Sequence, residues 1–282
     1  MPYMNVGREG SISINLYYED HGYEDHGDML TVVLIHGGPL DSRVWERQIA
    51  ALVVSGHRVL VYDRRGFGKS SKPYSGYDFD TLAQDLHRLL RAWSINGAML
   101  VGFGSGAGDV LRYLGTYGDD RVSKAALISP LLPLLLQTIS DLDARGVGTF
   151  MPIIKRRRWA QRAEMPPAFL HNAYNLDVWS GKHVDDALLQ AQWLAALAAS
   201  PLTMHACVEQ LQTDFRDDLR RISMPLLVIH GSEDKVLPID LPAVTHRFSS
   251  ANVVLVDSAP HGLIWSHAER VNKELCDFLH AP

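Results

Sequence analysis

Between Gly102 and Gly106 the chain reads Gly-Phe-Gly-Ser-Gly, after the apolar run Ala98 to Val101 and before a helix-like segment reaching Tyr117. Strand, glycine turn and helix in that order serve two chemistries. One is dinucleotide binding through G-x-G-x-x-A, here Gly102, Gly104 and Ala107, in which N–H groups at the helix start hold a pyrophosphate. That use needs an acidic residue ending the next strand. The next strand ends Ala-Ala-Leu-Ile-Ser, and Asp119 and Asp120 precede it, so this reading lacks its ribose partner. The other is G-x-S-x-G, a sharp turn that lifts a nucleophile above a sheet, with flanking glycines where the backbone folds back too closely for side chains. Gly102 and Gly106 match those flanks. The centre, however, is Gly104, and the serine, Ser105, lies one place further on. Sliding the turn by one residue would put Phe103 where the leading glycine must be, so Ser105 is better placed to offer a backbone N–H at the helix start than a nucleophile.

Other residues take the positions such a turn requires. His36-Gly37-Gly38-Pro39 follows the buried run Thr31 to Ile35, where this architecture supplies an N–H for an oxyanion. Asp234 follows the strand-like Leu226 to His230, and His261 follows Val253 to Val256. Nucleophile position, acid and histidine occur in the chain order the architecture needs. A carboxylate fixing an imidazole tautomer makes a general acid/base pair, which His261 and Asp234 are expected to form. His36 and His230 are expected to be structural. The Gly-Lys-Ser of Gly68 to Ser70 has Asp63 where a phosphate loop needs glycine, so Asp63 and Arg64 read as loop-organising residues. Lys155 to Arg158 read as a solvated helix face rather than an anion site. The tandem Tyr-Glu-Asp-His-Gly, Tyr18 to Gly22 and Tyr23 to Gly27, reads as a lengthened hairpin or loop rather than a metal site.

The elements that must position these residues alternate. Strand-like runs are Ser11 to Tyr18, Thr31 to Ile35, Arg58 to Tyr62, Ala98 to Phe103, Lys124 to Ser129, Leu226 to His230 and Val253 to Val256. Helical periodicity covers Arg43 to Val54, Asp80 to Trp93, Gly106 to Tyr117, Leu241 to Phe248 and Ala268 to Leu279. This predicts a mostly parallel sheet covered by helices. Residues 132 to 220 carry no convincing strand and read as a helical cap over the ligand edge of the sheet, splitting the core into residues 1 to 131 and 221 to 282. Trp159, Phe169, Tyr174, Trp179 and Trp193 of the cap are candidates to line a pocket, although aromatics at helical spacing more often form core.

Composition sets the bounds. Of 282 residues 46% are hydrophobic, and 27 basic against 32 acidic residues give a net charge of −5, which argues against a nucleic-acid surface. Two cysteines, Cys207 and Cys276, exclude a disulfide scaffold and a four-cysteine zinc site. No apolar run of about 20 residues and no signal-like N-terminus is visible, so the expectation is a cytoplasmic protein without membrane contact.

Over nearly its whole length the sequence resembles the α/β-hydrolase superfamily, and within it the cofactor-free haloperoxidase or perhydrolase-like esterases. The segments that carry the resemblance are LYYEDHG, VVLIHGGPLDSRVW, VYDRRGFGKSSKPYSGYDFDTLAQDL, LVGFGSGAGDVLRYL, TDFRDDL, PLLVIHGSEDKVLPI and APHGL. The resemblance implies an α/β-hydrolase fold, with Gly104 at the nucleophile place, Asp234 as acid, His261 as base, and Gly38 and Ser105 offering oxyanion N–H groups. It implies no cofactor and no metal. The family's usual G-F-S-M-G is G-F-G-S-G here, and glycine has no side chain to acylate. The expectation is therefore a nucleophile-less enzyme using His261, Asp234 and an oxyanion hole for cofactor-independent acid/base chemistry on a bulky small molecule: cyclisation, epoxide or lactone opening, elimination or a C–C bond step in secondary-metabolite tailoring. Two alternatives stand beside it, an esterase or lactonase using Ser105 or activated water, and a non-catalytic ligand-binding pseudohydrolase. A homo-oligomer is left open.

Overall fold

The computed structural model describes residues 2–22, 30–130, 165–179, 181–210, 213–238 and 251–281. Eight strands form one sheet in the order β1-β2-β4-β3-β5-β6-β7-β8. They are β1 Tyr3–Glu9, β2 Ile12–His21, β3 Val32–Ile35, β4 Val59–Tyr62, β5 Ala98–Phe103, β6 Val122–Ile128, β7 Leu226–Gly231 and β8 Asn252–Val256. The strands β1 and β2 pair antiparallel, as do β2 and β4, whereas β4, β3, β5, β6, β7 and β8 run parallel. Every residue of β3, β4, β5 and β7 is buried, as expected of parallel strands covered on both faces.

Alternate residues of these strands serve different cores. Val33, Ile35, Leu60, Tyr62, Leu100 and Leu127 point to one face, where helices α2 (Phe79–Ala92) and α3 (Gly106–Tyr117) supply Leu86, Leu89, Val110 and Leu111. Val32, Leu34, Val59, Val61, Val101 and Ile128 point to the other, where α1 (Glu46–Val54) and the C-terminal helix, Ala268–His280, supply Leu52, Val271 and Leu275. A polar side chain in one of these strands would therefore disrupt a core on whichever side it faced.

Chain order beyond β6 gives α4 Met165–Ala173, α5 Leu176–Trp179, α6 Asp186–Ala198, α7 Pro201–Gln210 and α8 Arg216–Arg220, all before β7. After β8 come α9 Leu263–Ser266 and α10, the C-terminal helix. The α4 to α7 helices touch the loops at the carboxyl ends of the strands. The Ala173 carbonyl accepts from the Gly262 amide at 2.6 Å, the Asn175 side chain donates to the Glu233 carbonyl at 2.8 Å, and the Gln210 amide donates to the Tyr77 carbonyl at 2.5 Å.

The sequence pattern anticipated β5 and α3 residue for residue and the other core strands within a few positions. It missed β1, whose only buried residue is Val6; an edge strand needs one apolar contact face and one partner, and a single valine gives little period. The first Tyr-Glu-Asp-His-Gly copy is not a loop: Tyr18 to His21 continue β2, paired with Tyr62 to Val59, and Asp20 binds Arg58 at 2.6 Å. The second copy, the basic run Lys155 to Arg158, Trp159 and the helix expected over Leu241 to Phe248 lie outside the described residues. Among the described residues no helix is long and apolar enough to cross a membrane.

His36 pins the β3 end to the loop after β4. Its buried ring accepts the Arg64 amide on Nε2 at 2.9 Å, and Nδ1 lies 3.2 Å from the Gly37 carbonyl. Burial, reinforced by the Arg64 guanidinium, pushes the imidazole down from 6.5 to about 4. Below pH 6.5 the unfolded chain binds a proton that folded His36 refuses until about pH 4, so stability falls as pH drops through that window, by on the order of 3 kcal/mol across it. In His36→Gln, whose Oε1 can still accept the Arg64 amide, urea unfolding at a series of pH values should show a correspondingly shallower loss.

Candidate active site

The turn between β5 and α3 is dictated by close backbone contacts. A Cβ on Gly102 would lie 2.5 Å from Ala107 Cα, and one on Gly106 would lie 2.4 Å from the Ile35 carbonyl oxygen, so both flanking positions exclude every other residue. Gly104 between them is different. It adopts φ +55°, but its Cβ would meet only ordinary contacts, the nearest being His261 Nε2 at 3.5 Å. The apex of the turn thus has room for a side chain, aimed at the histidine, and carries none.

His261 follows β8 and is held from both sides. Ser129, at the end of β6, donates through Oγ to the His261 carbonyl at 3.1 Å, and the ring packs against Phe103 and Phe169 at 5.0 and 6.3 Å between centroids. Its Nδ1 lies 2.8 Å from Asp234 Oδ2. Asp234 follows β7 and is wholly committed. Oδ1 accepts the Val236 and Leu237 amides at 2.8 and 2.7 Å, and Oδ2 also lies 3.2 Å from His230 Nε2. Burial alone would raise this carboxyl, but His261 and His230 beside it hold it well below the usual carboxylate range. An ionised Asp234 places the His261 proton on Nδ1 and leaves Nε2, facing Gly104, as the basic atom.

Opposite the histidine lie the other expected residues. Ser105 begins the helical backbone at φ −69° and makes no side-chain cap bond. Its Oγ instead accepts the Gly38 amide at 3.0 Å and Arg64 Nη1 at 3.0 Å. The Ser105 amide makes no hydrogen bond among the described residues, whereas the Gly38 amide is occupied by the serine. Arg64 is buried and grips Asp109 through Nε and Nη2 at 2.8 and 2.7 Å. Asp63 organises the neighbouring loops as expected, accepting the Ser42 and Lys69 amides at 2.9 and 2.8 Å.

Gly37, Gly38, Phe103, Gly104, Ser105 and His261 line a cavity of about 40 Å³ together with Phe169 of α4, Cys207 of α7, and Val236 and Leu237. That is room for roughly one to three water molecules. Of the aromatics singled out in the sequence, Phe169 reaches the cavity. Tyr174 is buried and donates to Gln192 at 2.6 Å, Trp179 packs on His183 and His267, and Trp193 is 41% exposed. Cys207 was missed because its helix carries no motif; burial pushes its thiol up to about 11, so it remains protonated. His230 proves to be a second partner of Asp234 and donates to the Leu237 carbonyl at 2.8 Å. No group of three or more metal-ligating side chains occurs among the described residues.

A family model described as alpha/beta hydrolase fold matches residues 31–268. A Synechocystis protein named "Putative non-heme chloroperoxidase" is 42% identical, over 99% of this chain and 100% of its own. A bromoperoxidase structure from Bacillus anthracis superposes with a TM-score of 0.83 at 34% identity, covering 99% of both chains. An esterase structure from Exiguobacterium antarcticum gives a TM-score of 0.80 at 25% identity, over 95% of this chain and 97% of its own.

The space at residue 104 makes a direct test. Gly104→Ser should fold with a penalty of about 1–2 kcal/mol for a left-handed side chain, measurable by urea denaturation. Its hydroxyl, next to His261 Nε2, should become labelled by a fluorophosphonate probe, with peptide mass spectrometry locating the adduct on residue 104. Wild-type protein should remain unlabelled, Ser105 included.

Proposed function

The chain belongs to the alpha/beta hydrolase fold family, whose members similar to it are enzymes, and from that premise we propose a cofactor-independent enzyme that opens an ester or lactone without a covalent intermediate. The observation that carries this reading is the 3.5 Å between the position of a Cβ on Gly104 and His261 Nε2. The base is in place and the group it would activate is missing, so the space accepts water or a substrate hydroxyl instead.

His261 Nε2 removes a proton from the water as its oxygen bonds to the carbonyl carbon. The tetrahedral oxyanion is met by donors on the Ser105 side of the cavity, and as the C–O bond to the leaving group breaks, His261 returns the proton to the departing oxygen. Asp234 holds the ring in the required tautomer and supports its charged form. A positioned acid/base contributes about 10²–10⁴ in rate and an oxyanion donor about 10²–10³. No acyl group is carried by the protein at any step.

Ser105 is a poor nucleophile in this arrangement. Its oxygen accepts two hydrogen bonds and lies with Arg64 and Gly38 rather than with the His261–Asp234 pair. The described helices α4 to α7 act in this reading as part of the cap, with Phe169 and Cys207 reaching the cavity. The same parts would serve cyclisation, epoxide opening, elimination or a C–C bond step. A volume of about 40 Å³ beside Gly104 and His261 has room for a water next to the reacting carbonyl. Most of a larger substrate would lie outside these walls.

With phenyl acetate as substrate, His261→Ala should lower kcat by about 10²–10⁴, and Asp234→Asn should lower it markedly while KM changes little, because neither residue binds the ground state. If both variants bound ligand as the wild type does and neither changed product formation, the protein would be a ligand-binding pseudohydrolase.

A further inference from the structure

The Ser105 side chain brings to the cavity a hydroxyl where an elbow of this kind needs only a backbone N–H. A serine oxygen has two lone pairs and one proton to donate. Both acceptor directions of Ser105 Oγ are engaged, by the Gly38 amide and by Arg64 Nη1, each at 3.0 Å. No acceptor for its proton occurs among the described residues, and the residue lines the cavity beside Gly104 and His261. The proton is therefore available to a ligand in the cavity that Ser105 lines.

Arg64 makes this hydroxyl more than an ordinary donor. The guanidinium is buried, fixed in orientation by its two bonds to Asp109, and donates from Nη1 to Ser105. A cation donating to a hydroxyl oxygen polarises the O–H, and in a low-dielectric site such a chain strengthens the terminal donor. The Gly38 amide, already spent on Ser105 Oγ, acts in the same direction, so a charge and an amide both reach the cavity through one proton.

We propose that the Ser105 O–H, backed by Arg64 and Gly38, is the donor that binds an anionic oxygen in this cavity, in place of the Gly38 amide. Ser105 acts with its own backbone N–H alongside, and Arg64 is a positioning residue that acts through it. The ligands this donor pair selects are small carboxylates and the oxyanions that resemble them. The inference rests on the cavity being where negative charge develops, but it is read by binding and needs no turnover.

Formate and its neutral isostere formamide, each of three heavy atoms, are suitable probes for titration by NMR or calorimetry. Wild-type protein should bind formate more tightly than formamide. Ser105→Ala, checked for a wild-type thermal transition, should weaken formate by about tenfold or more and bring the two ligands close to parity. A purely structural serine would leave the preference for the anion intact. Equal or tighter formate binding by Ser105→Ala would show that the hydroxyl plugs the Gly38 amide, and would overturn the proposal, as would a wild-type protein with no saturable formate binding. Either failure leaves hydrolysis at His261 to be judged separately by the phenyl acetate kinetics.

Discussion

The 2.8 Å bond between His261 Nδ1 and Asp234 Oδ2 joins the loops that follow β8 and β7, and the site depends on it. Asp234 is ionised in a buried place because two backbone amides donate to Oδ1 and His261 donates to Oδ2, with the His230 ring 3.2 Å from the same oxygen. Such a carboxylate is costly to bury unless fully paired, and once paired it is hard to move. That rigidity passes to the imidazole. Parallel pairing of β7 with β8 brings the two loops to the same edge, and the Ser129 hydroxyl on the His261 carbonyl ties them to the end of β6.

A second buried charge organises the opposite wall. Arg64 and Asp109 form a two-pronged pair between the loop after β4 and helix α3, and Nη1 donates to Ser105. The cavity thus lies between two fixed charge systems, a carboxylate behind the imidazole and a guanidinium behind the hydroxyl. Between them Gly104 contributes only backbone. A basic nitrogen on one side and a polarised donor on the other suit a reaction in which a proton leaves a nucleophile while negative charge grows on a carbonyl oxygen.

Much of this was legible in the sequence. The close-packed turn announced itself through Gly102 and Gly106, because those contacts admit no other residue, and the β5 and α3 boundaries followed. Asp234 and His261 were legible because each sits just past an apolar strand end in the required order. Other features were not. The Ser105 to Arg64 contact joins residues 41 positions apart, and nothing in either local pattern points to the other. The occupation of the Gly38 amide by that serine is a matter of side-chain rotamer. Cys207 and Phe169 reach the cavity from helices whose sequences carry no motif. The edge strand β1 escaped because one buried valine is too little period to read.

The absence of a covalent intermediate distinguishes the proposed reaction from acyl transfer through a serine. Rapid-quench intact-mass spectrometry of the wild-type enzyme during turnover of phenyl acetate tests it most directly. The predicted result is phenol and acetate release with the protein mass unchanged at every time point. An acetyl adduct that forms and decays at the turnover rate, on Ser105 or on any other residue, would contradict it.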